Sequence, residues 1–186
     1  MIISISGNPG SGKSTVAKKL SAKLGYKHYY IGILRRQAAQ EKGMTLDEYN
    51  KLGETDFSTD KNVDEYLKKL GETEDNFVVE SRTAFHFIPQ SLKIFLTVDE
   101  KEGAKRIFSD LKLNPGRNNE GRRLNTVDDV ATSNKERMLS DQLRYKKYYN
   151  LDLADPKNFD LVLDSSHLSI KDEFNKVWEY VRSKIA

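Results

Sequence analysis

Residues Gly7 to Ser14 read G-N-P-G-S-G-K-S and follow directly on the apolar run Met1-Ile2-Ile3-Ser4-Ile5. The glycines let the backbone curl so that successive N–H groups turn inward, a geometry that suits the phosphates of a nucleotide. In this Walker A pattern Lys13 reaches the β- and γ-phosphates, and the Ser14 hydroxyl is placed to hold Mg²⁺. Apolar Val16, Ala17 and Leu20 continue at helical spacing. The loop therefore opens a helix whose N-terminus favours an anion. A glycine-rich turn without a ligand is the alternative, but the strand before and the helix after supply the context the motif requires.

Five apolar or β-branched runs alternate with helical stretches. They are residues 1–6, 27–31, 76–80, 92–97 and 159–163, the later ones carrying His28-Tyr-Tyr-Ile31, Phe77-Val-Val79, Ile94-Phe-Leu-Thr-Val98 and Phe159-Asp-Leu-Val-Leu163. Such alternation predicts an α/β fold with a five-stranded parallel sheet covered on both faces. Ligands of such sheets sit at the carboxyl ends of the strands, where the glycine loop already lies.

A helical insert is expected between the second and third strands, at about residues 33–71. Thr45-Leu-Asp-Glu48 is a capping box that starts one of its helices. The similar pieces Lys51-Leu-Gly-Glu-Thr-Asp56 and Lys69-Leu-Gly-Glu-Thr-Glu74 read as two helix ends, with Gly53 and Gly71 at left-handed caps. The polar segment Leu113–Thr126 is a candidate lid, with an ordinary unstructured insert as the alternative. A charged helix over 127–149 follows. Its Arg137, Asp141 and Arg144 fall within about 60° of one another on one face. That row reads either as an ion-pair ladder or as a grip on a sugar and its phosphate.

Composition excludes several classes. With no cysteine, disulfides and thiolate metal sites are out. The three histidines, His28, His86 and His167, match no metal-binding spacing. A net charge of +3 is too small for a polybasic nucleic-acid or membrane binder. No apolar stretch approaches the ~20 residues of a membrane span, and the first strand begins at the N-terminus, so a signal peptide is not expected. The expectation is one cytoplasmic domain, monomeric, acting on small-molecule nucleotides. Its core would comprise 1–31, 76–112 and 150–186, with the insert at about 32–75 and the lid at about 113–126.

Charged residues then converge on the cleft. Glu80 ends the third strand, Arg82 follows it, and Arg35-Arg36 follow the second strand. An acid at Glu80 suits a hydrated Mg²⁺ beside Ser14, although strand ends are commonly polar. The arginines suit bidentate capture of a phosphate.

At this point the chain resembles the nucleoside monophosphate kinases of the P-loop superfamily, and most closely the archaeal-type cytidylate kinases. The resemblance covers nearly the whole length. It rests on Gly7–Ser14, Tyr30-Ile-Gly-Ile-Leu-Arg-Arg36, Glu41-Lys-Gly-Met-Thr-Leu-Asp-Glu48, Val79-Glu-Ser-Arg82, Arg137-x-x-x-Asp141-x-x-Arg144-Tyr145 and Phe159-Asp-Leu-Val-Leu-Asp164. It implies a three-layer P-loop fold and phosphoryl transfer from ATP, with Mg²⁺, to CMP or dCMP. Gly7, Asn8, Pro9, Gly10, Ser11, Gly12, Lys13, Ser14 and Thr15 would hold ATP. Arg106 would stack on the donor base, and Ser165 would lie in the loop beside it. Arg36, Arg82, Arg137 and Asp141 would bind the acceptor, and Arg144 would stand near the transferring group. Lys13, Arg137 and Arg144 would be catalytic. Ser14, with Glu80 through water, would hold the metal.

Two departures bear on the acceptor. Ile33 stands where the family usually has an acid, and Ser81 where it usually has glycine. A kinase of another nucleoside monophosphate or of a small metabolite therefore stays open. A GTPase switch is poorly supported, because Asn134-Lys-Glu-Arg137 lacks the guanine-reading aspartate. A nucleic-acid binder is the weakest alternative.

Overall fold

The computed structural model describes residues 1–113 and 124–185. Most of the candidate lid, including Arg122 and Arg123, lies outside the described residues. Five strands, β1 (Ile2–Gly7), β2 (Lys27–Tyr30), β3 (Phe77–Glu80), β4 (Leu92–Thr97) and β5 (Leu161–Asp164), form one sheet in the order β2-β3-β1-β4-β5. All its pairings are parallel. The chain leaves the central β1 for one edge of the sheet and later returns to its other side with β4. The crevice at the end of β1 is thus a topological switch point, the place where open α/β sheets bind ligands.

Pleating divides the sheet into two faces. On one, Ile3, Ile5, Val78, Ile94 and Leu96 pack against Val16, Ala17 and Leu20 of α1 (Lys13–Leu24) and Val177 and Val181 of α8 (Ile170–Ile185). On the other, Ile2, Phe77 and Val79 meet Leu67 and Leu70 of α4 (Ser58–Thr73), with Ala84 of α5 (Ala84–Phe87) and Ile88. The two short helices α2 (Gly32–Glu41) and α3 (Leu46–Gly53) precede α4 between β2 and β3. A third apolar cluster, Ala104, Leu111 and Val130, joins α6 (Glu100–Leu113) to the long α7 (Val127–Tyr149). The three-layer α/β architecture is the one expected. Among the described residues, no helix is long and apolar enough to cross a membrane.

Local signals are realised closely at some points and corrected at others. The Thr45–Glu48 capping box is present in full, and a second box, Thr126 with Asp129, starts α7. The last strand begins at Leu161, two residues later than expected. Phe159 instead packs its ring 4.6 Å from that of Phe95 and 4.7 Å from that of Phe85.

Gly53 and Gly71 are not left-handed caps. Both lie within helices, and neither has a positive φ. Their reason is space. A Cβ at Gly53 would stand 2.7 Å from Thr59 Oγ1 and 2.8 Å from Arg144 Cδ, and one at Gly71 would stand 2.8 Å from Ile88 Cγ2. Gly53→Ala should therefore destabilise the protein by about 1–3 kcal/mol through overpacking, although alanine is the better helix former. Chemical denaturation measures this, and a variant as stable as the parent would show that the buried neighbours can yield.

Candidate active site

The loop between β1 and α1 is shaped by its glycines. Gly10 and Gly12 have φ of 77° and 87°, in the left-handed region that favours glycine. A Cβ at Gly10 would also stand 2.3 Å from the Gly103 carbonyl of α6. Backbone bonds tie the loop to the sheet and to itself. Asn8 N donates to Leu96 O at 3.0 Å, and Ser11 N to Asn8 O at 3.2 Å. Lys13 Nζ donates to Asn8 O at 2.6 Å, which folds the ammonium over the loop. Thr15 follows in the first turn of α1, half-buried.

Beside the loop, Ser14 Oγ donates to Glu80 Oε1 at 2.7 Å. The β1–β3 register sets Glu80 opposite Ile5, and this brings the strand end to the first turn of α1. Glu80 is buried, and its Oε2 has no hydrogen-bond partner. His28 Nε2, from β2, stands 3.9 Å from that oxygen. Burial lowers the His28 pKa against the pull of Glu80.

On the β4–β5 side, Ser165 is fully buried. Its Oγ lies 2.8 Å from Thr97 O and 3.2 Å from Ser11 O, so its one proton is shared between these two carbonyls and the side chain props the loop from within. Arg106 of α6 reaches the same segment. It donates to Glu102 Oε1, Ser165 Oγ, Ser165 O and Ser166 O.

The arginines gather at the ends of β3 and α7. Arg144 is only 1% exposed. Its donors go to Asp60 Oδ2 at 2.9 Å, Asp141 Oδ1 at 2.5 Å, Ser140 Oγ at 2.9 Å and Asn50 O at 3.4 Å. Arg82 pairs with Asp141. Arg35 pairs with Asp60, donates to Asn50 Oδ1 at 2.7 Å and lies over the Tyr49 ring. By sequence both Arg35 and Arg36 suit phosphate capture, and the resemblance implies Arg36 for the acceptor. The structure brings Arg35 into the cluster. Arg36, one residue and about 100° further round α2, donates to Tyr30 OH at 2.5 Å and Gly32 O at 3.2 Å. Arg137 is half-buried on α7.

Three guanidinium groups, Arg35, Arg82 and Arg144, thus share the two carboxylates Asp60 and Asp141. A third acid, Asp64, accepts from Tyr145 OH and Tyr149 OH. Burial pushes its pKa up to about 7, so it is only partly ionised near neutral pH. Removal from water, with Arg137, Arg144 and Arg35 close by, pushes the Arg82 pKa well down. The cluster therefore carries surplus positive charge, which a bound anion would relieve. Asp60 and Asp64 were not singled out from sequence. Their spacing of four in α4 was the available signal, but an exposed acidic face carries the same signal.

A cavity of about 550 Å³ adjoins both halves, lined by Asn8 and Pro9 of the loop, Arg82, Val98, Met138 and Asp141 among others. Its volume is in the range of small-molecule sites. Among the described residues, no cluster of three or more histidine or acidic side chains forms a protein-only metal cage.

The chain matches the cytidylate kinase-like family over residues 2–167. A cytidylate kinase from Methanocella arvoryzae is 37% identical over 171 residues, covering 92% of this chain and 91% of that protein. An S-adenosylmethionine-dependent nucleotide dehydratase from Lacinutrix mariniflava is 27% identical over 99% of this chain, which spans 36% of that longer protein. In fold, shikimate kinase from Bacteroides thetaiotaomicron superposes with a TM-score of 0.62 at 14% identity, covering 98% of each chain.

Proposed function

We propose, from the premise that this chain belongs to the cytidylate kinase-like family, that it transfers the γ-phosphoryl group of ATP to CMP or dCMP. The observation that carries this reading is the surplus of buried guanidinium charge beside the phosphate loop. Arg82 and Asp141 line a cleft whose walls also include Asn8 and Pro9 of the loop, and ion pairs join them to the buried Arg144, Asp60 and Arg35, which suits an anionic acceptor facing an anionic donor.

In this mechanism the loop N–H groups and Lys13 cradle the donor phosphates. Lys13 leaves the Asn8 carbonyl to follow the charge on the transferring group. Arg82 and Arg36 hold the acceptor phosphate, and Asp141 orients the acceptor sugar, with Arg137 beside them. Arg144 fixes Asp141 from behind, and its catalytic part is to keep that carboxylate aimed at the cleft. Arg106 and the Ser165 segment form the donor-base edge. Phosphoryl transfer needs little covalent help from protein, so positioning and electrostatic stabilisation supply most of the rate. Ser14 and Glu80 fit a hydrated Mg²⁺. One hydroxyl and one buried carboxylate with an unpartnered oxygen lie 2.7 Å apart at the phosphate loop, and a small hard cation keeps several waters and phosphate oxygens as its other ligands. When bound, the ion would neutralise charge on the β- and γ-phosphates.

Ile33 favours a second reading. It is 48% exposed where the family usually has a carboxylate, so a different nucleoside monophosphate or small acceptor fits the same chemistry. A coupled ADP-release assay with ATP, Mg²⁺ and each of CMP, dCMP, UMP, AMP and GMP decides between them. Turnover confined to CMP and dCMP is expected. Preference for another nucleotide keeps the kinase and changes its acceptor, and ATP hydrolysis at background rate with all five sinks the monophosphate-kinase reading.

A further inference from the structure

A carboxyl group outside the roles given above stands against the phosphate loop. Glu173, in the first turn of α8, is 3% exposed. A Cβ at Gly12 would stand 2.5 Å from its Oε2 and 2.6 Å from its Oε1. Glu173 Oε1 is buried without a hydrogen-bond partner, and so is Ser11 Oγ in the adjoining loop residue. A buried carboxylate oxygen that accepts no hydrogen bond is costly when ionised and much less so when protonated. Burial accordingly pushes the Glu173 pKa up to about 7, against the opposing charges of Arg106 on α6, Lys13 at the end of the loop and Lys19 on α1. Of these, Arg106 is shared with Glu102.

We infer that Glu173 is a proton-accepting support of the phosphate loop, neutral whenever a nucleoside triphosphate is bound, so that donor binding above neutral pH takes up one proton. The reason is charge. A triphosphate brings several negative charges to the backbone N–H groups around Gly12. At the same time Lys13, one of the cations that favours ionised Glu173, turns to the phosphates. Both changes work against a further anion touching the loop. The proton passes from solvent to the carboxylate, and no bond of the nucleotide is made or broken. This inference rests on the loop binding ATP and is independent of which acceptor is used.

The pH dependence has a definite sign. Below the Glu173 midpoint the group is already neutral and binding needs no proton. Above it each binding event must protonate the group, so affinity falls by up to about tenfold per pH unit until the midpoint of the bound form is passed.

Calorimetric titration with Mg²⁺ and a non-hydrolysable ATP analogue, at about pH 8 in buffers of different ionisation enthalpy, counts the protons. The parent protein should take up close to one proton and Glu173→Gln close to none. The variant should bind about tenfold more tightly than the parent near pH 8 and equally well near pH 6. Proton uptake that is absent in the parent, or unchanged in the variant, overturns the inference. Failure of the parent to bind the analogue at all would overturn the phosphate-loop reading instead, so the two failures are distinguishable. Should Glu173→Gln not fold, carbon-13 NMR of the glutamate carboxyls in the parent reads the same proton. A midpoint near 7 that rises on adding the analogue is expected, and an ordinary carboxylate midpoint overturns the inference.

Discussion

Lys13→Ala should lower the turnover number by about a thousandfold while leaving the fold intact. The magnitude follows from the kind of group removed, a preorganised positive donor aimed at charge that develops in the transition state. Folding should survive because Lys13 is half-buried at the start of α1 and its bond to the Asn8 carbonyl lies within the loop itself. Thermal unfolding within about 1 kcal/mol of the parent is expected, because the half-buried position opens no core cavity and Glu173, which loses one favourable cation, can take up a proton. The rate is read in the coupled ADP assay at saturating ATP. Near-normal turnover in a folded variant would remove the phosphate loop from the mechanism.

Arg144→Met should have the largest effect on stability. The side chain is 1% exposed and bonds two buried carboxylates, Asp60 and Asp141, together with Ser140 and Asn50 O. Methionine fills much of the volume but leaves both acids short of a partner. Removing one member of a buried ion pair costs about 3–5 kcal/mol. Asp60 keeps Arg35 and Asp141 keeps Arg82, which places the expectation at the lower end, about 3 kcal/mol. In a chain of this size that lowers the melting temperature by roughly 6–12 °C. Lysine should rescue little, because it lacks the planar fork that serves Asp60 and Asp141 at once. Scanning calorimetry measures the shift. A melting temperature unchanged within about 2 °C would show that Arg144 stands free for a ligand and does not hold the cluster together.

The two substitutions also separate the kinds of evidence behind them. The turn that carries Lys13 was legible at first reading, because it is written in eight consecutive residues and its geometry follows from local backbone freedom. The capping box at Thr45 and the five strands were legible for the same reason: each depends on neighbours within a few positions. Arg144 was visible as one of a row on a helix face, but its role was read toward the transferring group. Its partner Asp60 lies 84 residues away in the chain, and no local pattern marks that pairing. The choice between Arg35 and Arg36 was equally closed to inspection, since one residue turns a side chain about 100° around α2 and only the docking of α3 and α4 says which direction is inward.

Sequence alone therefore determined the α/β class, the glycine-rich turn after β1 and the helices that flank it, because these follow from hydrophobic period and backbone conformation over short spans. Only the tertiary structure decided the strand order, the packing roles of Gly53 and Gly71, the Arg35–Asp60–Arg144–Asp141–Arg82 cluster, and the seating of Glu173 on Gly12. The physical reason is common to all four. Each is a contact between elements distant in the chain, made when one buried face docks on another, and its partners are selected by packing and charge across that interface.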